Sequence, residues 1–99
     1  SNVLMMVSIQ TRIANARGYG VQFKRAGTQI FASQGSYEIF NNSNQDIYGR
    51  NDWTFYDTGI STTSATEYTV FVKTDGGSNV KFQNNNDVSK IFLLEILAW

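Results

Sequence analysis

The residues best equipped for chemistry are carboxylates. Glu38, Asp52, Asp57, Glu67 and Glu95 could supply the two acids of glycoside cleavage, which must face each other across a sugar. No pair stands out by its spacing. The chain has no histidine, so the usual general base near neutral pH and the commonest transition-metal ligand are both missing. It has no cysteine either, which removes disulfides and thiolate metal sites. Asp75 and Asp87 with the asparagines at 84–86 offer oxygen atoms of the kind calcium takes, but neither the spacing of an EF-hand loop nor a dense carboxylate cluster. The reading is a non-enzyme with no metal and no cofactor.

Binding chemistry is better represented. Tyr37, Tyr48, Arg50 and Trp53 flank the polar run 41–46, and aromatic rings beside amide side chains can stack on a sugar and hydrogen-bond it. The competing reading is that Trp53 and Phe55 alternate as core residues and that the asparagine run is ordinary turn chemistry. Arg12, Arg17, Lys24 and Arg25, interleaved with Tyr19 and Phe23, are similar to an oligonucleotide-binding strand face. Eight basic residues are balanced by eight acidic ones, so no net field draws in a polyanion, and a solvated face is expected instead of a nucleic-acid site.

The first and last apolar runs carry a different message. Leu4 and Met6 alternate with Val3, Met5 and Val7, while Phe92, Leu94 and Ile96 alternate with Ile91, Leu93, Glu95 and Leu97. Side chains on a strand point to opposite faces in turn, so both runs are apolar on both sides. A lone sandwich buries one face of each, leaving the other to be covered by loops or by another copy of the chain. Covering by another copy is the simpler expectation, with Leu4, Met6, Phe92, Leu94, Ile96 and the terminal indole of Trp99 at the contact. Neither run fits a signal peptide or a membrane span: the first is one strand long without a basic flank, and Glu95 interrupts the second.

These residues must be held by strands. With 99 residues the chain is one domain with one core, and its polar residues are mostly Asn, Gln, Ser and Thr, which suit strands and turns more than solvated helices. Alternation marks strands at 3–11, 19–24, 29–32, 37–40, 52–57, 67–74, 79–83 and 90–97. The first is expected in the middle of a sheet, and the last is expected to be buried on both faces. Residues 25–28 and 75–78 are expected to close hairpins, the second through its paired glycines. The fold class is therefore all-β: an antiparallel, jelly-roll-like β-sandwich of seven or eight short strands.

A family resemblance rests on the opening 1–10 segment (SNVLMMVSIQ), on 56–59 (YDTG) followed by 62–70 (TTSATEYTV), and on 89–96 (SKIFLLEI). In this order they resemble a jelly-roll module of tail-fibre and other virion proteins of tailed phages, similar in plan to trimeric C1q/TNF-like heads. The resemblance implies a homotrimer on the virion surface, with other virion proteins and host-surface carbohydrate as partners. It implies a tail-fibre head that binds a glycan. The alternatives are a capsid-decorating cement protein and, further off, a fragment of a depolymerase. Domains of this kind carry one more strand before the segment matching residues 1–10, so the resemblance reads the chain as the C-terminal part of a longer fibre or virion protein.

Overall fold

The computed structural model describes residues 2–33, 35, 38–62, 64–74, 80–83 and 88–96. Among these residues eight strands follow one another: β1 (Asn2–Ile13), β2 (Arg17–Arg25), β3 (Thr28–Ala32), β4 (Ile39–Asn41), β5 (Ile47–Asp57), β6 (Tyr68–Thr74), β7 (Val80–Phe82) and β8 (Lys90–Ile96). They make two antiparallel sheets packed as a sandwich. In the first, β1 pairs with β5 from Val3 opposite Asp57 to Ile13 opposite Ile47, and its other edge is shared by β8 and β7. In the second, β2 pairs with β6 along one edge and with β3 and β4 along the other. A long central strand thus organises each layer.

The strand period decides what lies between the layers. Met5, Val7, Ile9 and Ile13 of β1 meet Tyr19, Val21 and Phe23 of β2, and all seven are buried. Aromatic edges knit the two ends of this core: Tyr19 meets Trp53 and Phe82 edge-on, while Phe23 meets Phe31 and Phe55. The contacts of Tyr19 with Trp53 and Phe82 and of Phe23 with Phe55 are edge-to-face, a geometry that adds to the gain from buried area, and the Phe23–Phe31 pair is tilted. The Tyr19 hydroxyl donates to Asn51 Oδ1 across the layers at 3.0 Å, and burial pushes this phenol up to about 12.

A second link between the layers is ionic. Arg25 of β2 meets the buried Asp57 of β5 at 2.5 Å, and the Tyr68 hydroxyl of β6 donates to the other carboxylate oxygen at 2.8 Å. The Gly59 amide also donates to Asp57. Burial alone would raise the Asp57 carboxyl, but hydrogen bonds from Arg25, Tyr68 and Gly59, with the Arg25 charge, outweigh it and hold the group below the usual carboxylate value. Burial and the bond to Asp57 together push Tyr68 up to about 12.

Four expectations change. The β2–β3 hairpin forms as read, over Ala26 and Gly27 at φ 48° and 82°, the left-handed values a two-residue primed turn requires. The second expected hairpin does not: β6 pairs with β2 and β7 with β1, so the chain changes sheets between Thr74 and Val80, and the turn at 75–78 lies outside the described residues. Strand β5 begins at Ile47 instead of Asp52, because Gly49 and Asn51 take the positions of inward parity and hide the alternation. Strand β4 begins at Ile39, and β8 is not doubly buried: it sits at a sheet edge with every residue exposed.

The Asp57 link carries a pH signature. Its carboxyl is depressed in the folded chain, so its stabilisation is present above the unfolded value near 4 and is lost as pH falls through the folded value. Thermal melting should therefore drop steeply below pH 4 in the natural chain. Asp57→Asn should cost about 2 kcal/mol at pH 7 and show a shallower acid limb. Equal slopes for the two proteins would refute the role given to this carboxylate.

Candidate functional site

The outward face of the first sheet is built by β1 and its two neighbours. Because Met5, Val7 and Ile9 point into the core, Leu4 and Met6 must point out. Pairing sets Leu4 between Tyr56 and Leu94, Met6 between Thr54 and Phe92, and Asn2 beside Ile96. Phe92 and Leu94 are 53% and 50% exposed, and Tyr56 and Ile96 are exposed as well. The result is a contiguous apolar patch, of the kind that marks an interaction surface in a folded protein. Five of the six expected contact residues, Leu4, Met6, Phe92, Leu94 and Ile96, share this face. The sixth, Trp99, lies outside the described residues.

One step along β1 the face becomes polar. Ser8 lies between Asp52 and Lys90, placing an acid and a base on opposite flanks of the same row. A shallow hollow of about 470 Å³ runs beside this row, lined by Met6, Ser8, Asp52, Thr54, Lys90 and Phe92. Arg50 donates to the Ser8 hydroxyl at 3.0 Å. Beyond it, Arg12 pairs with Asp46 at 2.6 Å and lies over the Tyr48 ring, 5.5 Å from its centroid.

The four proposed sugar-contacting residues do not form one platform. Tyr48 and Arg50 share the outward face of β5, but Trp53, at the opposite parity, points inward against Tyr19 at 5.9 Å. Tyr37 lies outside the described residues. Sequence reading missed Arg12 and Asp46 as companions of Tyr48, because the strand pairing that unites them joins residues more than thirty positions apart. The 41–46 run is exposed as expected except at its root. Asn41 is buried, donating through Nδ2 to the Ile13 and Gln45 carbonyls and accepting from the Ser43 amide and hydroxyl.

The other candidate chemistry is dispersed. Asp57 and Glu95 sit on either side of Val3 in one row of the first sheet, two strand spacings or about 10 Å apart. Asp57 is held ionised by its three donors and so offers no proton to a leaving group. The basic and aromatic residues that are similar to an oligonucleotide-binding strand do not share one face: Tyr19 and Phe23 are fully buried, Arg25 pairs with Asp57, and Lys24 lies over Phe71 at 4.6 Å. The calcium-like residues 75 and 84–87 lie outside the described residues. In comparisons with known proteins, no family model, curated protein or solved structure matches this chain.

The opposite parities of Trp53 and Tyr48 give a direct contrast. Trp53→Ala should lower stability by about 3 kcal/mol through lost core packing, whereas Tyr48→Ala should stay within about 0.5 kcal/mol of the natural chain. Urea denaturation of both variants checks this, and equal costs would contradict the assigned faces.

Proposed function

We propose that this chain is a non-catalytic virion module, a tail-fibre head of a tailed phage that assembles as a homotrimer and binds a host-surface glycan. The observation that carries the reading is the outward apolar patch of Leu4, Met6, Tyr56, Phe92, Leu94 and Ile96. A water-soluble monomer has little reason to place that many apolar side chains on one sheet face. Three copies turning this face toward a common axis, as the resemblance implies, remove it from water.

The charges around the patch suit self-association. Asp52 and Lys90 flank the row through Ser8, so one copy's acid can meet a neighbour's base at the rim of the contact. The chain exposes 6407 Å², roughly 750 Å² more than a monomeric protein of this mass is expected to show. One side of a standard interface covers about 800 Å².

The glycan contact is assigned to the polar end of the same face, where Tyr48 and Arg50 stand beyond the apolar patch. A tyrosine ring and a guanidinium supply stacking and hydrogen bonds, and three weak sites on one rigid head gain avidity without catalysis. On a glycan array or in whole-cell adsorption, Tyr48→Ala with Arg50→Ala should abolish binding while leaving assembly intact. Met6→Lys should separate the copies and reduce apparent affinity by a factor of about 100. Unchanged binding by the Tyr48 and Arg50 variant would refute the adhesive role. Binding to the phage capsid in place of host cells would assign the protein to capsid decoration.

A further inference from the structure

Among the described residues the sandwich is open along one side, and this opening lies between the layers, on the opposite parity of β8 from the outward patch, the two sharing Lys90 at their rims. Strands β6 and β8 each pair with a single neighbour among the described residues, so each presents an unpaired backbone edge on the same side of the molecule. Ile91 and Leu93 belong to the inward parity of β8 yet are 48% and 46% exposed. Val72 of β6, across Val21 in the facing sheet, is also exposed. An inward-facing apolar residue that remains in water marks a core lacking a wall at that point.

The gap has shape and polarity. At one end a cleft of about 440 Å³ lies between the layers, lined by Val3, Ile60, Tyr68, Leu93 and Glu95 with part of the loop before β6. Among the described residues, Glu95 is the charged side chain on its walls. At the other end a cleft of about 300 Å³ is lined by Val7, Val70, Phe82, Ser89, Lys90 and Ile91. There Lys90 stands at the rim, and the buried Ser89 hydroxyl has no hydrogen-bond partner among the described residues. A buried hydroxyl left unpaired is costly and is normally satisfied.

The geometry points to a strand-accepting cleft: an extended segment of another polypeptide adds to the edge of β8 that is unpaired among the described residues, antiparallel like every strand pair there, and completes the wall of the core. The charges specify its polarity. Running antiparallel to β8, the segment presents a basic side chain to Glu95 near its N-terminal end and an acidic one to Lys90 near its C-terminal end. Between them, two apolar residues at alternate positions lie beside Leu93 and Ile91. Backbone pairing provides affinity in such strand addition, and the alternate side chains provide selectivity. A free, apolar edge is otherwise an aggregation hazard, so a dedicated occupant also protects the particle.

The test uses the full chain and two synthetic peptides with blocked ends, TKTVTVDS and its charge-exchanged counterpart TDTVTVKS. Backbone hydrogen exchange follows the β8 amides that point away from β1. The first peptide is expected to slow their exchange and to bind at least tenfold more tightly than the second. Glu95→Lys, at an exposed position that leaves the core untouched, is expected to reduce or reverse that preference. Failure of both peptides to slow exchange, or equal protection by the two, overturns the proposal. So does protection that grows with protein concentration in the absence of peptide, which would assign the edge to a second copy. The apolar residues of the outward patch are untouched by Glu95→Lys, so loss of trimer assembly would leave this result standing.

Discussion

The whole structure depends on β1 being flanked on both edges and apolar along the face it turns inward. Its pairing with β5 runs through eleven consecutive residues, and β8 and β7 divide its other edge, so nearly all of its backbone is engaged. Its inward residues supply half of the buried apolar core. Once that register is set, alternation fixes the outward row of Leu4, Met6 and Ser8, and with it the rows of β5 and β8 beside them. A slip of one residue would send Leu4 and Met6 inward and Met5 and Val7 into water.

Two polar devices keep the second sheet in place over the first. The Tyr19 to Asn51 hydrogen bond and the Arg25, Asp57 and Tyr68 cluster each join residues of opposite layers, at opposite ends of β2. Their directionality fixes the alignment of the layers, which apolar packing alone leaves freer. The result is slender. A radius of gyration of 15.1 Å exceeds the roughly 13 Å of a compact domain of this length, as expected of a two-layer unit three strands wide and open on one side.

Much of this was legible in the residues. The period of two located most strands and showed that Leu4 and Met6, like Phe92, Leu94 and Ile96, belong to faces opposite the core. The same rule should have separated Trp53 from Tyr48 and Arg50, since an odd spacing on one strand places side chains on opposite sides. It was obscured because Gly49 and Asn51 hid the first half of β5. Strand partners were not legible: the glycines at 76 and 77 read as a hairpin, yet β6 and β7 lie in different layers. The Arg12 to Asp46 and Arg25 to Asp57 pairs were equally invisible, because nothing local brings residues more than thirty apart together. The exposure of β8 was missed because an apolar strand looks the same at a sheet centre and at an edge awaiting a partner.

The central claim is that the outward face of β1, β5 and β8 is an assembly surface, and the most direct test is the molar mass of the natural chain in solution across a range of concentrations. The account expects a species of three times the 11.1 kDa of one chain. A single-chain mass maintained at high concentration, with the outward face still accessible to solvent probes, would contradict it.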